Sequence, residues 1–401
     1  MNNTNKHWDI FCKIVDNFGD IGVCWRLSQQ LAREHLLQVR LFIDDFNVAR
    51  KIIIDLDLTQ ISQVINNVEI CAWPAPMSTS DIKPAHVVIE TFACGLPDFY
   101  LQQMQPSKTI WINLEYLSAE AWVSDFHAKS SPHPTLPVTK YYFFPGFFDA
   151  TGGLIREKNL MTTRNEFLNS KVLQKEFWRN LSIEKKEHPQ TSLNNTALTT
   201  EEPIKISLFC YPQANIKNLF LALENAEKTI DIFMPVNESS PRLYDVFTHF
   251  KSSENGKIWH KGNLTVYVIP FLSQTDYDRL LWACDLNFVR GEDSWIRAIW
   301  AGKPFIWQPY IQEDDAHIHK LKAFLEAYLH DATQEMESTL HDAHLTWSQS
   351  EYKLPQIWSH IINHLPSIQV YTSQQTVALA NQADLATKLV IFSKNLRKNR
   401  V

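Results

Sequence analysis

The chain of 401 residues carries 38 basic and 44 acidic side chains, a formal charge of −6, with 45% hydrophobic and 12% aromatic residues. That length exceeds one ordinary core and predicts two domains, and the composition excludes a disordered or collagen-like chain. The acidic balance gives no sequence-wide reason to expect nucleic-acid binding and suits a basic partner surface.

In chain order, Trp8–Val15 is expected as the first strand, ended by an acidic, glycine-bearing loop at Asp16–Gly22. Val23–Glu34 has helical apolar spacing, Val39–Ile43 reads as a second strand and Phe46–Ile53 as a helix. Val68–Ala72, His86–Thr91 and Lys108–Leu114 are continuous apolar runs of the kind a parallel sheet buries on both faces. The alternation predicts a doubly wound α/β domain over residues 1–184, closing with one helix at Leu160–Leu181. The polar stretch Lys185–Thr200 reads as an exposed linker, bounded as 185–202. A second α/β series over 203–371 has strands at Lys205–Cys210, Thr229–Met234, Leu264–Ile269, Leu286–Val289 and Pro304–Trp307. Its helices are expected at Asn215–Ala226, Gln274–Cys284, Ser294–Trp300 and Ala316–Leu329. A last helix, Gln374–Lys394 within the segment 372–401, is expected to pack back on the first domain. Two such domains enclose a cleft, a common place for a ligand.

Six scattered cysteines (12, 24, 71, 94, 210 and 284) form no Cys-x-x-Cys pair and read as reduced, buried thiols. The start of the chain lacks an apolar signal core and no run is long enough to span a bilayer, so a cytoplasmic protein without membrane contact is expected.

Two loops hold residues suited to chemistry, both at the carboxyl edge of a sheet. In D-N-F-G-D-I-G, Asp16 and Asp20 flank a tight turn, and Gly19 and Gly22 alone do not make a dinucleotide fingerprint. A carboxylate there serves as a general base, a substrate acceptor, or a local cap, and spacing alone favours the cap. In V-R-G-E-D-S-W-I-R (Val289–Arg297) a strand meets a helix start, whose free N–H groups suit a phosphate. Arg290 adds a planar charged fork for the same group. Glu292, Asp293 and Ser294 read equally well as first-turn capping residues and as partners of sugar hydroxyls. Phe209, Tyr211, Phe271 and Gln274 end strands of the second series, where rings either stack on a base or fill a corner. Together these loops suggest a transferase acting on a diphosphate-activated donor. Asp55 and Asp57 read as surface carboxylates, and Glu313, Asp314, Asp315, His317 and His319 as a solvated helix start, not a metal cluster. Retaining glycosyltransferases often carry a second glutamate eight residues after the first; here Trp300 holds that place relative to Glu292.

Four segments carry a resemblance: D-I-F-C-K-I-V-D-N-F-G-D-I-G-V-C-W-R-L (Asp9–Leu27), N-L-E-Y-L-S-A-E-A-W (Asn113–Trp122), F-C-Y-P (Phe209–Pro212) and F-V-R-G-E-D-S (Phe288–Ser294). They resemble the bacterial elongation factor P arginine rhamnosyltransferases, the EarP family, in order and spacing over essentially the whole chain. The resemblance implies a GT-B fold of two Rossmann-like domains, and inverting transfer of L-rhamnose from dTDP-β-L-rhamnose to an arginine of elongation factor P. That modification would activate the factor for rescue of ribosomes stalled at proline runs. It further implies Asp20 as general base, Asp16 as a supporting carboxylate, and Arg290, Glu292, Asp293 and Ser294 as donor diphosphate and sugar ligands. Phe209, Tyr211, Phe271 and Gln274 would surround the thymidine. No cofactor and no metal are expected, since a helix start and an arginine can hold the leaving diphosphate. Competing readings are a GT-B transferase for a small molecule or lipid precursor, and a non-catalytic nucleotide-sugar sensor.

Overall fold

The computed structural model describes residues 7–16, 18–73, 82–181, 202–236, 250–252, 256–349, 354 and 356–399. The expected linker Lys185–Thr200 lies outside the described residues. Two sheets dominate. The first contains β1 (His7–Cys12), β2 (Gln38–Ile43), β3 (Ser62–Ile65), β4 (Val68–Ala72), β5 (Val87–Thr91), β6 (Ile110–Leu114), β7 (Ser130–Pro132) and β8 (Thr139–Phe143). Their order is β3-β4-β2-β1-β5-β6-β8-β7, parallel except at the edge pairs β3/β4 and β7/β8. The second contains β9 (Ile204–Leu208), β10 (Ile230–Val236), β11 (Lys251–Ser252), β12 (Ile258–Lys261), β13 (Leu264–Pro270), β14 (Leu286–Arg290) and β15 (Phe305–Gln308). Its order is β11-β12-β13-β10-β9-β14-β15, with β13 to β15 joined through parallel pairs.

In each sheet the first strand of the series is central and the chain reverses direction of growth beside it, between β1 and β5 and between β9 and β14. These are the topological switch points, where strand ends part and leave a crevice for a ligand. Two Rossmann-like halves facing one cleft make the GT-B arrangement. The buried runs explain the central strands: every residue of β5 and β6 is buried, as expected of strands covered by helices on both faces. The second half is anchored by aromatics, with Trp295 stacked on Trp307 at 3.6 Å and Phe324 edge-on to both.

Several boundaries differ from expectation, each for a local reason. β1 stops at Cys12, because the Ile14 and Val15 N–H groups leave the sheet for the carboxylates of Asp44 and Asp20. The following helix begins at Gly19 and not at Val23, so Asp20 and Gly22 lie in its first turn. The expected helix 160–181 is two, broken at Ser170, whose hydroxyl accepts the Leu173 N–H and caps the second. The expected helix 374–394 is also divided, into Gln356–Ala380 and Leu385–Lys398. Arg156 donates to the carbonyls of Ala380 and Gln382, and Asp384 caps the new helix by accepting the Thr387 N–H. The long helix binds the second half, where Thr376 donates to the Ile299 carbonyl. The last helix binds the first half, with Phe392 against Phe143 and Lys388 donating to the Thr151 carbonyl.

Candidate active site

The Asp16–Gly22 segment folds around its own carboxylates. Asp20 is 2% exposed, and its Oδ2 accepts the N–H groups of Val15 at 2.7 Å and Asp16 at 2.9 Å. It closes the turn, while the helix N-cap position belongs to Phe18 without a side-chain bond. The other oxygen, Oδ1, receives the Tyr116 hydroxyl at 3.2 Å, and Tyr116 stacks on Phe92 at 4.1 Å. Burial pushes the Asp20 carboxyl above its ordinary range, and the three donors pull the other way. Burial also raises Asp16, while its bond from Tyr211 lowers it.

The facing loop is set by Gly291, which has φ +63°, a left-handed conformation that glycine adopts freely. A Cβ there would meet Asp16 Oδ2 at 2.7 Å and the Tyr211 hydroxyl at 2.9 Å. Ser294 stitches the strand to the helix, accepting the Arg290 N–H at 3.0 Å and donating to the Arg290 carbonyl. The Arg290 guanidinium donates to the Cys210 carbonyl at 3.1 Å and lies over Phe209 at 4.3 Å and Tyr211 at 4.6 Å. The two rings hold the cation in place and leave its remaining donors to the cleft.

Hydrogen bonds cross between the halves here. The Tyr211 hydroxyl donates to Asp16 at 2.7 Å, and the Leu117 N–H donates to Glu292 at 2.8 Å. Arg26 Nε donates to Asp293 at 2.8 Å, and Gln274 Nε2 donates to the Gly22 carbonyl at 3.1 Å. Burial pushes Glu292 up to about 7, with Lys320 opposing; burial also raises Asp293, against the pull of Arg26.

Two adjoining recesses result. One, of about 560 Å³ counted to its open mouth, is lined by Asp16, Phe209, Tyr211, Phe271, Gln274, Arg290, Asp293 and Ser294, with Phe18 and Tyr277. The other, about 860 Å³, is lined by Asp16, Asp20, Tyr116, Glu292, Tyr310 and Lys320 among others. All ten residues singled out from the sequence therefore reach one or the other. Their side chains differ in what they offer: Ser294 is bonded within its own turn, Asp293 is ion-paired, and the Gln274 amide is directed at Gly22 and Asp293. Asp57 holds an exposed turn through Thr59, and His317 is buried with its Nδ1 accepting the Gln312 N–H.

Sequence reasoning missed a buried ion network beneath the recesses. Arg26 and Arg297 both form forked pairs with Asp278, at 2.7–3.1 Å, and both approach Glu157, Arg297 at 2.6 Å. The one available signal was a charged residue inside the apolar run W-I-R-A-I-W, which ordinarily marks a solvated face. It also missed Tyr116 and Phe92, which line the second recess, Phe92 with a φ of +55°.

Comparison with known proteins bears on the family and the fold. The family described as "Elongation-Factor P (EF-P) rhamnosyltransferase EarP" matches residues 8–394. A protein-arginine rhamnosyltransferase of Pseudomonas putida is 39% identical over 394 residues, covering 97% of this chain and 98% of its own. Another, from Pseudomonas aeruginosa, is 41% identical over 323 residues, 80% of this chain and 81% of its own. A solved structure described as the structural basis for EarP-mediated arginine glycosylation of translation elongation factor EF-P superposes with a TM-score of 0.64. It is 29% identical and covers 97% of this chain and 99% of that one.

Proposed function

This chain belongs to the EarP family of rhamnosyltransferases and is a protein-arginine rhamnosyltransferase with a GT-B fold, and from that premise we propose that it transfers L-rhamnose from dTDP-β-L-rhamnose to an arginine of elongation factor P, with inversion. The observation that carries the reading is the meeting of Asp16 and Asp20 from one switch point with the ring-held Arg290 from the other. In this reading residues 1–184 form the acceptor side and 203–371 the donor side.

The thymidine ring lies in the aromatic recess with Phe209, Tyr211, Phe271 and Gln274. Arg290 and the start of the Asp293–Ala301 helix take the diphosphate, and Glu292, Asp293 and Ser294 border the sugar. A guanidinium stays protonated up to a pKa of about 12 or more, so its nitrogen is a poor nucleophile until the charge is localised and a proton leaves. Asp16 holds the group while Asp20, raised by burial, accepts that proton. The nitrogen attacks the anomeric carbon opposite the diphosphate, the bond from that carbon to the phosphate oxygen breaks, and dTDP departs. The product is an α-linked rhamnosyl arginine. Arg290 and helix N–H groups stabilise the leaving charge, so we assign no divalent cation to the step. Full turnover in EDTA supports this, and loss on chelation restored by magnesium overturns it. Support for the acceptor comes from the related structure, whose description names arginine glycosylation of translation elongation factor EF-P. Action on a translation factor places the enzyme in the cytoplasm and would serve ribosomes stalled at proline runs.

The test is the intact mass of elongation factor P after incubation with the enzyme and dTDP-β-L-rhamnose, with Asp20→Asn in parallel. A gain of one deoxyhexose with the wild type only is expected. No gain with either refutes the donor–acceptor pair, and a gain with both removes Asp20 as the base.

A further inference from the structure

We propose that Glu335, His360 and His364 form a zinc-class divalent metal site outside the catalytic cleft, tying the start of the Gln334–Ser348 helix to the Gln356–Ala380 helix. The two histidines are four residues apart on one helix, which places them on one face, one turn apart. Their rings lie 4.0 Å apart between centroids. Glu335, in the first turn of the neighbouring helix, completes a set whose ligand atoms all lie within 4.8 Å of one another.

The hydrogen bonding fixes which atom faces the ion. His364 Nδ1 lies 2.8 Å from the His360 carbonyl. A carbonyl only accepts, so Nδ1 carries the proton and the neutral ring presents its lone pair at Nε2. Nε2 is the atom that faces Glu335, 3.9 Å from Oε1. That separation is longer than a hydrogen bond. It approaches the roughly 3.3 Å between two ligands of a tetrahedral ion with bonds of about 2.0–2.1 Å. A backbone carbonyl holding the distal nitrogen of a ligand histidine is the usual arrangement around protein-bound zinc, because it fixes the tautomer and raises the basicity of the free nitrogen.

Two imidazoles and a carboxylate suit zinc, nickel or copper, and exclude a calcium or magnesium preference. Three protein ligands leave a fourth position for water. Glu335 is exposed and the two histidines are half-buried, so an ion can enter, and small side-chain rotations bring the donors together. None of the three lines the catalytic recesses, so the site acts on the fold: binding only the folded state raises its stability with metal concentration.

The test titrates the full-length, EDTA-stripped enzyme with zinc chloride and with nickel chloride by calorimetry, beside His360→Ala, His364→Ala and Glu335→Gln. The wild type should bind one more equivalent of zinc than either histidine variant, and Glu335→Gln should weaken that equivalent at least about tenfold. Zinc should raise the melting temperature of the wild type and leave the histidine variants unmoved. Metal-free melting and rhamnosyl transfer should be unchanged in all three, which separates ligand loss from misfolding. Equal stoichiometry and affinity in wild type and a His360→Ala/His364→Ala double variant would overturn the site. So would the absence of any saturable binding up to millimolar zinc.

Discussion

Replacing Gly291 by alanine tests both the backbone and the chemistry of the cleft. The residue has φ +63°, and a left-handed alanine costs about 1–2 kcal/mol. Its Cβ would also lie 2.7 Å from Asp16 Oδ2, where ordinary contact begins near 3.4 Å. The carboxylate must therefore retreat by roughly 0.7 Å, or the loop must shift by a similar amount. Misplacement of a reacting group by about 1 Å can cost on the order of a hundredfold in rate. Gly302→Ala supplies the control: φ is +65°, but the Cβ meets only the far end of Arg164 at 3.1 Å and Thr376 at 3.4 Å. Both variants should lose a few degrees of melting temperature, about 2–4 °C per kcal/mol for a half of this size. Only Gly291→Ala should lose kcat/KM, by about tenfold or more, measured from rhamnosylated acceptor by mass spectrometry. Wild-type turnover in Gly291→Ala would refute the placing of Asp16 at the reacting centre. An equal loss in Gly302→Ala would mean that activity merely follows stability.

Asp278→Asn removes the more deeply buried of the two carboxylates that Arg26 and Arg297 share, and should cost about 3–5 kcal/mol in urea denaturation. Tyr116→Phe removes a donor that lowers the Asp20 pKa, so the acidic limb of the kcat/KM profile should move to higher pH and kcat should fall several-fold; an unmoved limb would dissociate Tyr116 from the base. Glu292 is raised from 4.5 to about 7 by burial, so between those values the folded protein holds the proton more firmly than the unfolded chain does. Its contribution is complete below about pH 4.5 and is lost as pH rises to about 7. Glu292→Gln should flatten that fall in thermal stability between pH 5 and 7, and an unchanged slope would place the titration elsewhere.

The central strands were legible because burial on both faces leaves uninterrupted apolar runs, and β4 matches its expected bounds, Val68–Ala72, residue for residue. Edge strands such as Ser62–Ile65, half exposed and of mixed composition, left no such run. The breaks at Ser170 and at Ala380–Leu385 were hidden for another reason. Apolar spacing continues through both, and only the partners of Arg156, Ser170 and Asp384 in space turn the chain. The ten residues singled out from the sequence line the two recesses because topology gathers them: each ends a strand, lies in the loop after one, or starts the helix that follows. The charged network was not legible, since Arg26 and Arg297 in isolation read as solvated helix positions. Their burial depends on Asp278 and Glu157, distant in sequence.

The charge balance of the second recess bears on the choice of acceptor. Asp16, Asp20 and Glu292 line it together, and each of the first two raises the pKa of Glu292 through like charge. Lys320 opposes the rise at Glu292, Arg290 opposes it at Asp16, and burial lowers the pKa of Lys320 itself. A neutral sugar or lipid hydroxyl entering this space would relieve none of that repulsion. A guanidinium arrives with its charge intact at any physiological pH and lowers the energy of every carboxylate it approaches, by more as water leaves and the local dielectric falls. On the proposed reading the excess of acid would be a selection device as well as a source of base, drawing in the one side chain that is hardest to deprotonate. It would then set that side chain beside Asp20, whose burial makes it a stronger proton acceptor than a solvated aspartate.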